Sequence, residues 1–306
     1  LALHRHGRDR HDSGHAAVIN CKYGIGIFIM TEFSQPIGST MNKNSIASVT
    51  SANKAAWEAS AHLHKSGDGW AKLIEAAGYP GFSVLDGTIT ALLRKYNVEG
   101  RRAVQIGCNN ARELISLASL GGVPMLGIDQ SASFLAQGRE LAESAGLEIK
   151  LLEADIYDLP ENVGRYDLVL ITIGVLSWMP DLPEFFRVVA SLMEDDAVLV
   201  IYETHPFLEI FNPHGVNPHE PGFDYFAEEP QVITQAITYD GKDHGSVEPS
   251  YWFIHPLGEI VTACIQAGLK LVELTEYPHS NREPEYDIYA GRSAQVPMSY
   301  SLVALK

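Results

Sequence analysis

Between residues 103 and 204, short apolar runs alternate with stretches of helical spacing, and no other feature of this chain restricts its fold as tightly. Residues 103–107 read as a buried strand. Residues 110–120 carry helical apolar spacing at Leu114, Ile115, Leu117 and Ala118, and Gly121-Gly122 stops that helix. Four further strands are predicted over 124–129, 147–155, 166–172 and 197–203. Helices over 131–145, with Ser131 as N-cap, and over about 182–193 separate them. Strands alternating with helices pair in parallel through right-handed crossovers. The expected fold class is α/β, a doubly wound sandwich.

The chain has 306 residues, 46% of them apolar, enough for one large domain or two small ones with a sizeable core. Lys and Arg total 22 against 38 Asp and Glu, a net charge of −16. Residues 204–306 alone hold 5 basic and 14 acidic side chains. A nucleic-acid enzyme needs a basic track to displace phosphate counterions, so no nucleic-acid partner is expected. Cys21, Cys108 and Cys264 have no paired spacing, which predicts neither disulfides nor a zinc site and fits a reducing, cytoplasmic setting. The longest apolar stretch, 168–178, is of core-strand length, so no membrane span is expected.

Four of the 12 histidines (His4, His6, His11 and His15) fall in the first fifteen positions, ahead of an apolar stretch over 16–30. Translated upstream sequence, a disordered native extension and a targeting signal are the three readings of this start. Met30 and Met41 are the candidate translation starts. Residues 1–50 are accordingly set aside as a disordered or non-native extension.

In a doubly wound sheet, ligands sit beyond the carboxyl ends of the strands, where strand order reverses. Asp129 ends the second strand 22 residues after Gly107, where a ribose-binding carboxylate belongs. A carboxylate can accept from both hydroxyls of a vicinal diol. Asp155, ending the third strand, can accept from an adenine amine while the Ile156 N–H faces a ring nitrogen. The alternative is that both acids merely cap the turns that follow them. A dinucleotide loop wants Gly-x-Gly-x-x-Gly, but positions 107, 109 and 112 are Gly, Asn and Arg. An adenosyl ligand without phosphates needs only the tight turn at Gly107, with polar groups such as Asn109 for its amino-acid tail.

The ordered series Gln-Ile-Gly-Cys-Asn-Asn (105–110), Gly-Ile-Asp (127–129), Ala-Asp-Ile-Tyr-Asp-Leu-Pro (154–160) and Tyr-Asp-Leu-Val (166–169) resembles the class I S-adenosylmethionine-dependent methyltransferases, closest to their small-molecule branch. The resemblance implies a mostly parallel, seven-stranded Rossmann-like sheet over 51–306, with a helical lid at 51–99. It implies S-adenosyl-L-methionine as cofactor. Gly107 and Asn109 would line the methionine moiety, Asp129 the ribose, Asp155 and Ile156 the adenine, with Ile173 beside the cofactor; Gln130 and Trp178 are further candidate cofactor-binding residues. The family's Gly-x-Gly-x-Gly reads Gly107-Cys108-Asn109-Asn110-Ala111 here, keeping only the first glycine. Arg112-Glu113 is either a pair on a helix face or a partner for the methionine carboxylate.

Residues 204–256 break the strand–helix rhythm and form an acceptor-side insertion after strand five. It carries nine aromatic residues and a hairpin expected over 231–238 and 250–255. A helix over 257–267 and strands over 270–277 and 298–305 close the fold. On the N-terminal side, residues 53–73 read as one helix bearing Trp57, His62 and Trp70. Trp178 has a use beside a sulfonium, since a cation is attracted to an aromatic face. His205, His255 and Glu203 are the candidate bases for taking a proton from the acceptor. His214 and His219 are a poor metal pair because Pro213 and Pro218 disrupt a helix there. The aromatic insertion suits a small, partly aromatic or apolar acceptor. The competing functions are a catalytically silent adenosyl-binding partner subunit and an NAD(P)-dependent oxidoreductase. The sequence leaves monomer and homodimer equally open.

Overall fold

The apolar runs do become the middle of a sheet. The computed structural model describes residues 42–238 and 244–306. Its first five strands are β1 (Arg102–Ile106), β2 (Val123–Asp129), β3 (Lys150–Glu153), β4 (Tyr166–Thr172) and β5 (Met193–Thr204). After the hairpin strands β6 (Gln231–Gln235) and β7 (Ser246–Trp252) come β8 (Lys270–Tyr277) and β9 (Ser299–Leu305). The large sheet runs β3-β2-β1-β4-β5-β9-β8. Neighbours from β3 to β5 pair in parallel, and β9 lies antiparallel between β5 and β8. Strand order reverses between β1 and β4, which places the crevice there.

Both faces of this sheet are buried, which is why its strands read as continuous rather than alternating apolar runs. Along β4, Leu168 and Leu170 enter one core while Val169 and Ile171 enter the other. The first core packs against α4 (Arg112–Ser116) and α5 (Ala132–Ser144), the second against α6 (Leu182–Ser191) and α7 (Leu257–Gln266). Ser131 caps α5 as its sequence position suggests, accepting from Phe134 N at 3.2 Å.

Several boundaries differ from expectation for physical reasons. The helix expected over 53–73 is divided into α1 (Lys43–Ser60), a 3-10 turn at Leu63–Lys65 and α2 (Asp68–Ala77). The break comes at Gly67, whose φ of 71° no continuing helix adopts. A third helix, α3 (Gly87–Lys95), precedes β1. Helix α1 also starts ahead of the expected boundary at residue 51. Asn42 caps it by accepting from Ser45 N at 3.0 Å, and Ile46 and Val49 are buried. The histidines and candidate starts in residues 1–41 lie outside the described residues, as does the expected hairpin turn at 239–243. The hairpin strands themselves form, β6 ending earlier than expected at Gln235 and β7 starting earlier at Ser246.

Among the described residues, no helix is long and apolar enough to cross a membrane, and no group of three or more His, Cys, Asp or Glu side chains is placed to hold a metal ion.

Candidate active site

At the end of β1 the backbone turns through three left-handed residues: Gly107 (φ 62°), Asn109 (φ 50°) and Ala111 (φ 58°). A Cβ on Gly107 would stand 2.6 Å from Cγ2 of Val175, so glycine is required by space as well as by conformation. Asn tolerates this region better than most residues, whereas Ala bears a cost. Left-handed backbone at alternate positions is what three glycines would supply, and here it is kept with only one. Gln105 supports the turn from within β1. Its Oε1 accepts from Leu114 N at 3.0 Å, inside a short helix that has no side-chain N-cap, and its Nε2 donates to Thr172 Oγ1 at 3.1 Å.

Asp129 closes the same loop from β2. Its Oδ2 accepts from Asn109 N at 2.7 Å and its Oδ1 from Ser131 N at 2.9 Å. Burial pushes its carboxyl pKa up, against the pull of those N–H donors. A carboxylate has about four lone-pair positions, so two such bonds leave capacity for a diol.

These strand ends surround a cavity of about 240 Å³. Of the eight residues expected to hold the cofactor, Gly107, Asn109, Asp129 and Gln130 line it. Ile156, Ile173 and Trp178 line it as well. Ile173 carries a φ of 46°, which is strained for a β-branched side chain. The eighth, Asp155, stands outside the wall. Its Oδ2 accepts from Thr50 Oγ1 of α1, and its Oδ1 accepts from Tyr157 N at 3.0 Å.

Asn53, Lys54 and Trp57 of α1 line the cavity, and α1 packs against β7 of the insertion, which supplies no lining residue of its own. Trp178 packs edge to face with Trp57 of α1, ring centroids 5.5 Å apart, and with Trp252 of β7 at 4.8 Å. Asn53 of α1 pairs with the Tyr251 backbone as a strand would, accepting from its N at 2.7 Å and donating to its O at 3.1 Å.

The three candidate bases do not line the cavity. His205 is buried under the sheet edge. Its Nδ1 accepts from Phe207 N at 3.1 Å, so Nε2 carries the hydrogen and donates to Glu276 Oε1 at 2.8 Å. His255 donates from Nε2 to the Met179 carbonyl at 2.8 Å, and burial lowers its pKa to about 4. Glu203 accepts from the backbone N–H groups of Gly174, Val175 and Leu176, fixing the loop after β4. Burial nonetheless raises its pKa to about 8. A position after strand five puts a residue at the correct end of the sheet but does not set the direction of its side chain.

Two wall residues escape the sequence reading altogether. Arg282 and Glu283 come from the connection between β8 and β9, which has no periodicity to mark it. Arg282 donates from Nη2 to Glu113 Oε1 at 3.0 Å and from Nη1 to the Val84 carbonyl at 2.7 Å. Arg112 Nε also donates to Glu113 Oε1, at 3.0 Å. Burial presses the Glu113 pKa upward, but the two guanidiniums outweigh it and hold the carboxyl below its usual range. Arg112-Glu113 is therefore a pair completed by Arg282 at one end of the cavity.

Residues 103–196, from β1 into β5, match the family described as "Methyltransferase domain". No curated protein matches the chain. Among solved structures, the CcbJ methyltransferase from Streptomyces caelestis is 16% identical with a TM-score of 0.51, covering 82% of this chain and 98% of that one. The magnesium protoporphyrin IX methyltransferase from Synechocystis PCC 6803, solved with bound S-adenosylhomocysteine, is 15% identical with a TM-score of 0.50, covering 84% and 98%. An S-adenosylmethionine-dependent methyltransferase from Clostridium acetobutylicum ATCC 824 is 12% identical with a TM-score of 0.50, covering 80% and 97%. At these identities the likeness is one of fold.

Proposed function

We propose that this chain, which carries a methyltransferase domain of the class I fold, binds S-adenosylmethionine in the cavity beside Asp129 and methylates a small, partly aromatic or apolar metabolite. The observation that carries the reading is the placement of Asp129. It sits at the end of β2, beside the reversal in strand order, with lone pairs left over after two backbone bonds. The donor set suits an adenosyl group: a carboxylate for the ribose diol, apolar walls at Ile128 and Ile156 for a flat base, and the Trp178 ring for a cation.

When bound, the cofactor supplies an activated methyl group. The chain's own task is to bring the acceptor into line with it and exclude water, an effect worth up to about 7–11 kcal/mol. Gly107 and Asn109 present backbone to the amino-acid tail, and Arg112 with Arg282 gives that end of the cavity its positive charge. Trp57 and Trp178 line the cavity, and Trp252 of the aromatic insertion packs edge to face on Trp178. The acidic composition fits a metabolite rather than a nucleic acid, and Cys108 and Cys264, the described cysteines, form no disulfide, which fits a cytoplasmic setting.

Calorimetry with S-adenosylhomocysteine and with NAD(P) tests the cofactor. Micromolar binding of the first and none of the second is expected; the reverse overturns the reading. Labelled-methyl transfer into a metabolite extract tests turnover, and cofactor binding without transfer would favour a silent binding subunit.

A further inference from the structure

Beyond the cofactor cavity, on the side of β5, three carboxylates gather without a basic partner of their own. Glu283 lines the cavity and accepts from Thr204 Oγ1 at 2.7 Å. Glu209, 5% exposed, accepts from Ser177 Oγ at 3.2 Å and from Trp252 Nε1 at 3.0 Å. Glu203, 3% exposed, is held by backbone N–H groups alone. The three feel one another's charge, and burial raises the pKa of each, that of Glu283 to about 7. The groups facing Glu283 are Glu203, Glu209, Glu285, Tyr286 and Arg282. Arg282 alone is cationic, and its hydrogen-bonded carboxylate is Glu113.

A second observation stands beside the carboxylates. Tyr300 stands directly across from Glu203 in the β5–β9 register, so the two side chains share a face of the sheet. Its hydroxyl is 1% exposed as a residue, feels both Glu203 and Glu209, and has no hydrogen-bond partner. A buried hydroxyl of this kind is ordinarily satisfied, and Tyr300, like the carboxylates whose charge it feels, has lone pairs to offer a donor.

Resting on the methyltransferase reading, we propose that the methyl acceptor is an amine, admitted as its ammonium ion, and that Glu283 with Glu209 and Glu203 behind it receives the positive charge. Cation recognition by carboxylates also separates this acceptor from a phenol or a carboxylic acid, which such a wall repels or leaves unpaired. Before transfer the ammonium gives one proton to Glu283. The freed nitrogen lone pair then forms the C–N bond while the methyl carbon's bond to sulfur breaks, its electron pair staying on sulfur. The methylated product leaves as an ammonium ion, and the proton on Glu283 passes to solvent.

The test uses the full chain loaded with S-adenosylhomocysteine and three probes sharing one aromatic body: 2-phenylethylamine, 2-phenylethanol and 3-phenylpropanoate. The amine is expected to bind about tenfold or more tightly than the other two. Titration in buffers of different ionisation enthalpy should register proton release from the carboxylates as the cation binds. Glu283→Gln should erase the preference and reduce the proton release while S-adenosylhomocysteine affinity stays within about twofold. Equal or reversed affinities, or no binding of the amine, overturn the proposal. So does a Glu283→Gln variant that keeps the preference. A variant that loses S-adenosylhomocysteine instead assigns Glu283 to the cofactor's own amino group and also overturns it. If the wild-type chain fails to bind S-adenosylhomocysteine at all, it is the cofactor reading that falls.

Discussion

Thr50 of α1 donates its hydroxyl to the carboxylate of Asp155 at the end of the third strand's loop. An acid in the position expected to read an adenine amine is thereby already held by the segment that covers the cavity. The same bond ties the N-terminal helix to the sheet 105 residues further along the chain.

Replacing Thr50 with Val keeps the shape of the side chain and removes that donor. Loss of the bond should lower stability by about 1–2 kcal/mol. Amide hydrogen exchange should quicken within Lys43–Ser60 before it does in the sheet. Exchange in α1 that matches the wild-type rate would show that the bond does not secure the helix.

Asp129 serves two loops at once, so Asp129→Ala strands the N–H groups of Asn109 and Ser131 as well as removing the proposed ribose contact. Calorimetry should find S-adenosylhomocysteine bound about 10- to 100-fold more weakly. Asp129→Asn, which keeps one acceptor oxygen, should fall between the two. Unchanged affinity in Asp129→Ala would remove the residue from the cofactor site.

Ile173 gives the opposite coupling of stability and binding. Its φ of 46° costs a β-branched residue about 1–3 kcal/mol. Ile173→Gly should recover part of that strain and raise the thermal midpoint, while opening the cavity wall and weakening cofactor binding. A variant less stable than the wild type would mean that the side chain's packing outweighs the strain.

The sheet and the acids at its strand ends were legible because they depend on local signals. Strands buried on both faces spell continuous apolar runs, and a turn that needs left-handed backbone leaves Gly107 and Asn109 in view. Ser131 was recognisable as a cap by its place just before a helical pattern. Side-chain direction beyond a strand end was not legible. His205 looked suited to proton transfer by its position after β5, yet it turns to Glu276 under the neighbouring strands. Arg282 and Glu283 were invisible for another reason. They reach the cavity from an aperiodic connection, and only the tertiary fold brings Arg282 to Glu113 across 169 positions of sequence.

His255 carries the acid-side pH dependence. Its folded pKa of about 4 lies below its ordinary 6.5, so the native state favours the neutral ring. Its contribution is complete above pH 6.5 and is lost as pH falls toward 4, because the unfolded chain takes up the proton first; it amounts to about 3 kcal/mol. The raised carboxyls of Glu203 and Glu283 act in the other direction, withdrawing stability as pH climbs from 4.5 toward 8 and 7. Chemical denaturation of wild type and His255→Gln across this range isolates the histidine. The difference between them should shift as pH falls, because only the wild type carries the penalty of the neutral ring. A difference independent of pH would remove His255 as its source.

The Arg282–Glu113 pair also has a bearing on how the molecule is made. Glu113 leaves the ribosome 169 residues ahead of Arg282, and β9 must still slip between β5 and β8 after it. A nascent chain halted before residue 282 can lay down the parallel strands but lacks one wall of the cavity. Small molecules therefore cannot find their full set of contacts on a partly synthesised copy. Occupancy becomes a property of molecules translated past Glu283, and any stabilisation by ligand reaches only those.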